Sequence, residues 1–249
     1  MAEYDKQAAR SYGMGASGAA VGAIDEGLRA YMLQVYNYMA IGLAVTGVVA
    51  LGAFNMAFSG GQLTGFGQAI YASPLQWVII FAPLGMVFFL SARIGKMSVS
   101  GAQMSFWIFA ALMGLSLSSI FLVYTGTSIA RVFFITAASF GALSLYGYTT
   151  KKDLSGWGSF LFMGLIGIII ASIVNIFLAS SALQFAVSVI GVLVFAGLTA
   201  YDTQQIKEMY SANDDGTMAG RKAIMGALRL YLDFINLFMM LLSLFGNRE

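Results

Sequence analysis

The chain alternates long apolar runs with short polar breaks. No charged residue occurs within residues 30–92 or within residues 154–201. Each run is long enough to cross the hydrocarbon core of a bilayer twice, because that core is about 30 Å thick and one transmembrane helix needs about 20 residues. The pattern predicts seven spanning helices, over residues 31–54, 75–92, 103–124, 129–148, 158–179, 183–201 and 223–245.

The break between the predicted fifth and sixth spans is the least marked, because only small residues separate the two apolar runs after Ala179. Residues 158–201 together hold about twice the length that one membrane helix needs. A tight helical hairpin is therefore predicted at this break.

The first 27 residues differ from the rest. They are polar and small, and they read as a flexible cytoplasmic tail, whereas residues 28–249 form the predicted seven-helix transmembrane domain. A cleavable signal peptide begins with basic residues followed by a short apolar core. The tail does not have this pattern, so the first span is expected to be retained as the targeting element.

Composition agrees with an all-α membrane protein, since 59% of the residues are hydrophobic and 10% are charged, against roughly 25% charged in a soluble domain. The absence of Cys and His removes thiolate nucleophiles, imidazole bases and the commonest zinc and haem ligands. No enzyme and no resident cofactor are expected. The net charge of +2 is too small to indicate nucleic acid as a partner.

The basic residues predict the orientation. With the N-terminus in the cytoplasm, every Lys and Arg except Arg131 and Arg248 falls on the inner side, as the positive-inside rule requires. Seven spans then place the C-terminus outside.

A charge at the centre of a membrane helix costs about 2.5 to 3.5 kcal/mol, so each deep charge is a functional hypothesis. Asp233 qualifies, because it interrupts the otherwise uncharged run of residues 230–244. Asp202 ends the sixth span and could instead be a helix-end residue among the headgroups. Arg131 and Arg229 lie near span ends, where snorkelling to the interface is the expected behaviour.

The predicted topology brings Asp202, Asp233 and Arg93 to the same cytoplasmic side. Two carboxylates that meet in a low-dielectric site cannot both be ionised cheaply, so they titrate as a unit and sense protons without histidine. Carboxylate oxygens are also preferred ligands of Ca²⁺, and a guanidinium would compete with the cation for them. Asn236, three residues after Asp233, is either an interhelical hydrogen-bonding residue or a further ion ligand.

Two segments carry a family resemblance. Residues 200–206 (AYDTQQI) and 230–238 (LYLDFINLF) closely resemble the paired C-terminal motifs of the Bax inhibitor-1 family in its bacterial branch. The resemblance implies six helices around a hydrophobic seventh, and a pH-sensitive calcium leak controlled by the two aspartates that match Asp202 and Asp233. A family arginine that latches this pair when closed is similar in placement to Arg93, and the loop of residues 207–222 looks longer than in compact members.

The leading functional hypothesis is therefore a calcium or cation leak channel in the bacterial inner membrane, with the lipid bilayer, Ca²⁺ and protons as its partners. The alternative is an interaction protein that modulates a membrane-bound protease or another stress-response partner, because some bacterial relatives resemble such modulators.

Overall fold

A computed structural model describes the backbone of residues 2–248 and the side chains of residues 26–248. This part of the chain forms eight α-helices, one short β-hairpin and two 3₁₀ turns. The helices are α1 (Ala2–Ala57), α2 (Gly65–Tyr71), α3 (Leu75–Arg93), α4 (Val99–Leu117), α5 (Gly126–Thr149), α6 (Ser155–Leu178), α7 (Ser181–Glu208) and α8 (Gly216–Phe245). The hairpin pairs β1 (Phe58–Ser59) with β2 (Gln62–Leu63), and the 3₁₀ turns cover Ile94–Lys96 and Ser118–Leu122.

The prediction of an all-α membrane protein with seven spans is confirmed. Within the described residues, every helix except α2 is long and apolar enough to cross a membrane, and the crossing part of α1 begins at Glu26. The predicted tail, residues 1–27, falls almost wholly outside the residues whose side chains are described, so its flexibility stays a prediction.

Several helix ends differ from the predicted ones. Helix α7 continues to Glu208 and α8 begins at Gly216, whereas the apolar pattern predicts spans of residues 183–201 and 223–245. The added turns are polar, so a search for apolar runs misses them. The hairpin and α2 are missed because they are too short to show a period.

Short polar side chains begin several helices. Ser98, Thr125, Ser180 and Asp215 each accept a hydrogen bond from the backbone N–H three residues later, over 2.6 to 3.3 Å. These are N-caps, which satisfy N–H groups that lack a partner within the helix. The local sequence therefore determines where α4, α5, α7 and α8 start.

The predicted hairpin between residues 158–179 and 183–201 is confirmed as the α6–α7 turn, which consists of Ala179 and Ser180. Ala179 has a φ of 47° and a ψ of 35°, the left-handed conformation that ends many helices. Its N–H donates to Asn175 O over 2.8 Å, and Asn175 Oδ1 accepts from Ser180 N over 3.0 Å.

Helix α8 lies at the centre of the bundle, as the family resemblance implies. It is the most buried of the spanning helices, and it packs against α1, α4, α5 and α7. Helix α3 packs mainly against α4, and α6 mainly against α7, so these two helices lie further out.

Tyr231 anchors α8 to its neighbours. Its hydroxyl lies 2.6 Å from Thr46 Oγ1 of α1, and its ring packs edge-on against Phe106 and Phe109 of α4, with centroids 6.0 and 5.1 Å away. The side chain is fully buried. This contact holds the part of α8 that carries Asp233, two residues further on.

The basic residues gather at one end of the bundle, called here the basic end, which holds the α3–α4, α5–α6 and α7–α8 connections. Two lysines and an arginine hold these connections together: Arg221 Nε donates to Met97 O, and Lys207 Nζ to Tyr148 O, over 2.7 and 2.8 Å, while Lys222 Nζ pairs with Asp214 Oδ2 over 2.6 Å. The opposite end holds the α6–α7 turn and the residues after α8.

Candidate functional site

Asp233 lies inside the bundle on α8 and is 5% exposed. Its Oδ2 is buried and accepts no hydrogen bond from the side chains or backbone that the structure describes. Burying a carboxylate without a partner is costly, and an unsatisfied group of this kind in a native fold needs an explanation.

Asp202 supplies that explanation. It lies on α7 and lines the same cavity as Asp233, close enough for the two carboxyls to interact by charge. A carboxylate is an acceptor only, so a bond between the two groups requires one of them to carry a proton. The structure thus brings together the two aspartates that the sequence analysis selected.

The pair opens onto a cavity of about 630 Å³ between α6, α7 and α8, called here the aspartate cavity. Its walls combine the two aspartates with Arg229, Asn236 and mainly apolar side chains; the latter include Phe162, Leu165, Phe195, Leu198 and Leu232. Asn236 Nδ2 donates to Leu232 O over 2.8 Å, which holds the amide at the cavity wall. An ion ligand role for Asn236 stays a prediction.

Arg229 is the residue that the sequence analysis missed. It was expected to snorkel at a span end, but it lines the aspartate cavity, and its charge acts on both carboxyls. The spacing could have revealed it, because Arg229 precedes Asp233 by four residues and shares its helical face.

Arg93 is not brought to the pair in this structure. It is exposed at the end of α3 and does not line the aspartate cavity. The one ion pair among the side chains of residues 26–248 joins Lys222 and Asp214, so the expected Arg93–Asp202 pair is not formed here. The reason is the position of α3, which packs mainly against α4; the latching role of Arg93 stays a prediction.

The other residues of the 200–206 segment hold α7 in place. Thr203 Oγ1 lies 2.9 Å from Ser144 Oγ of α5, which is in turn 2.6 Å from the Tyr36 hydroxyl of α1. Gln204 bonds the backbone of the α5–α6 connection twice, accepting from Leu154 N over 2.7 Å and donating to Lys152 O over 2.9 Å. These contacts hold the neighbouring Asp202 in register with Asp233.

Comparison with known proteins agrees with these motifs. Residues 28–249 match the sequence profile of the family described as Inhibitor of apoptosis-promoting Bax1. The chain belongs to the Bax inhibitor family. The match begins where the predicted transmembrane domain begins.

Relatives of this Bax inhibitor family protein occur in distant bacteria. The inner membrane protein YbhL of Escherichia coli is 53% identical over 225 residues, which cover 90% of this chain and 94% of that protein. An uncharacterized protein of Rickettsia prowazekii is 51% identical over 231 residues, covering 90% and 92%. An uncharacterized membrane protein of Streptococcus pyogenes is 33% identical over 229 residues, covering 90% and 96%.

The site of this Bax inhibitor family protein has few charged ligands. Among residues 26–248, no three or more acidic, His or Cys side chains cluster as they would to hold a metal ion. Ca²⁺ takes six to eight oxygens, so a cation at Asp202 and Asp233 would need water or amide oxygens as well.

Proposed function

We propose that this protein is a pH-sensitive cation leak channel of the bacterial inner membrane, with Ca²⁺ as its substrate and the Asp202–Asp233 pair as its gate. The observation that supports it most is the position of the two aspartates, which line the same cavity. The inner-membrane location agrees with the name of the Escherichia coli relative and with seven apolar helices.

The proposed gate works through one proton. When a proton is shared between the carboxyls, the pair carries a single negative charge and is satisfied by its own hydrogen bond. When that proton leaves, two negative charges face the cavity and form a binding site for a divalent cation. The Arg229 guanidinium stabilises the ionised pair in the absence of a cation and competes with Ca²⁺ for it.

The test is Ca²⁺ flux into liposomes that contain the purified protein, measured between about pH 6 and 8, where histidine would normally supply such a response. Asp202→Asn, Asp233→Asn and the double variant should each lower Ca²⁺ affinity and flatten the pH profile. The double variant should add little to either single change, because residues that act as one unit are not additive.

Asp153→Asn is the matched control. Asp153 lies in the exposed α5–α6 connection, where a hydrogen bond from Ser155 N lowers the pKa of its carboxyl, so it stays ionised throughout the test range. Its flux should equal that of the wild type. Wild-type pH profiles in all the aspartate variants would make the pair structural and would favour the alternative, an interaction protein that restrains a membrane-bound protease.

A further inference from the structure

A second polar cavity lies between α6, α7 and α8, at the opposite end from the basic residues. It has a volume of about 370 Å³ and is called here the outer cavity. Five neutral polar side chains line it: Ser172, Asn175, Gln184, Ser188 and Ser243. Ser188 Oγ bonds Ser243 Oγ over 2.9 Å, which joins α7 to α8 across this cavity.

One face of α8 connects the two cavities. Arg229, Asp233, Asn236, Met240 and Ser243 follow one another at steps of four and three residues, which places them on a single helical stripe. The first three line the aspartate cavity, and the last two line the outer cavity. Asp233 and Ser243 are ten residues apart, or about 15 Å along the axis at 1.5 Å per residue.

Apolar side chains lie between the polar groups of the two cavities. Leu165 and Phe195 line the aspartate cavity, and Phe195 is 4% exposed. Met240 packs directly on Gly191 of α7, where an added Cβ would lie 2.7 Å from the Met240 Sδ. A side chain at residue 191 would therefore displace the Met240 thioether.

We propose that the outer cavity is the second mouth of the cation path, a site of neutral oxygens for a partly hydrated cation, and that Met240 on Gly191 is a hydrophobic gate between this mouth and the aspartate cavity. An apolar constriction between two polar cavities blocks ions by excluding water. An unbranched methionine can change rotamer to open such a seal without moving a helix. The inference rests on the proposed channel function.

The first test measures the access of water to each cavity and does not depend on ion flux. The chain has no Cys, so single Cys variants can be labelled cleanly in intact vesicles with a membrane-impermeant thiol reagent added on the side of the α6–α7 turn. Ser243→Cys should react from that side, and Leu232→Cys, in the aspartate cavity, should not. Adding Met240→Ala should make Leu232→Cys reactive from that side.

The second test is cation flux. Met240→Ala should raise basal leak about tenfold, the effect of about 1.4 kcal/mol on a barrier, whereas Met240→Leu should keep the seal and the low leak. Met163→Ala is the matched control, since Met163 is 64% exposed on the outer face of α6, and it should leave the leak unchanged.

The outcomes separate the gate from the channel. An unreactive Ser243→Cys, or a Leu232→Cys that stays unreactive beside Met240→Ala, would overturn the proposed path. Aspartate-dependent flux in the wild type with an unchanged leak in Met240→Ala would remove the gate and leave the proposed function standing. A wild-type protein that carries no cation flux would remove both.

Discussion

Most buried polar side chains in the described part of this bundle are hydrogen-bonded. Thr46 bonds Tyr231 and Ser144 bonds Thr203 across helices, whereas Thr136 and Thr199 bond carbonyls of their own helices. Most hydroxyls that leave water therefore keep a partner. Among residues 26–248, two buried side-chain atoms lack a partner, the Tyr31 hydroxyl and Asp233 Oδ2. The second is the informative one, because a proton held between Asp233 and Asp202 would satisfy it.

Arg229 provides a prediction at this scale. Arg229→Gln keeps a polar side chain at the cavity wall but removes the charge that competes with Ca²⁺ for the carboxylates. We expect the Ca²⁺ affinity of the reconstituted protein to rise several-fold, a modest effect because Arg229 is exposed and screened. The measurement is flux as a function of Ca²⁺ concentration at fixed pH and at low salt.

Arg131→Gln serves as the control, because Arg131 lies near the other end of the bundle and its loss should leave the affinity unchanged. Arg93→Ala is the informative comparison. It should raise basal leak at unchanged Ca²⁺ affinity if Arg93 latches a closed state different from this one. A change of Ca²⁺ affinity in Arg93→Ala but not in Arg229→Gln would mean that Arg93, and not Arg229, competes with Ca²⁺ for the carboxylates.

At the scale of elements, the α6–α7 turn joins two antiparallel helices, and both of these helices line both cavities of the proposed path. Ala179 holds the left-handed conformation there, which costs an L-residue with a Cβ about 1 to 2 kcal/mol relative to the right-handed form. Glycine adopts this conformation without that cost and is the usual residue after a helix end.

Ala179→Gly should therefore stabilise the folded protein by up to about 1 kcal/mol. The gain is smaller than the full cost of the left-handed alanine, because glycine also makes the unfolded chain more flexible. Ala186→Gly, at an exposed position inside α7, is the matched control and should destabilise by about 1 kcal/mol. Thermal unfolding in detergent measures both. If both variants shifted the unfolding temperature equally and in the same direction, the left-handed Ala179 would not be a source of strain.

At the scale of the whole molecule, the bundle separates its charges along the membrane normal. Of the basic residues in the described part of the chain, Arg131 and Arg248 alone lie towards the end that holds the α6–α7 turn. The positive-inside rule predicts that the basic end lies in the cytoplasm, and the aspartate pair lies nearer to the basic end.

This orientation predicts opposite labelling of two sites. Lys151→Cys, in the exposed α5–α6 connection, should be protected from an impermeant thiol reagent outside intact cells, whereas Asn247→Cys, after α8, should react. The absence of native Cys removes background labelling. Reaction at both sites, or a protected Asn247→Cys, would contradict an external C-terminus.

The sequence alone is sufficient for the class of fold, the seven spans and the α6–α7 hairpin. Each depends on local quantities, namely the length of apolar runs, their breaks and the short polar residues that cap helices. Asp233 could also be selected, because a charge inside an apolar run is visible without knowing its neighbours. Asp202, at the end of the sixth span, was selected from the predicted topology and the family resemblance.

Contacts between distant segments required the tertiary structure. The sequence placed Arg93 beside the aspartates on the basis of topology, but α3 packs on α4 and Arg229 occupies the cavity instead. The sequence also does not predict that Met240 packs on Gly191. Hydropathy determines how deep each residue lies, but the rotation and neighbours of a helix depend on side-chain packing around the central α8, and this packing decides which charges meet.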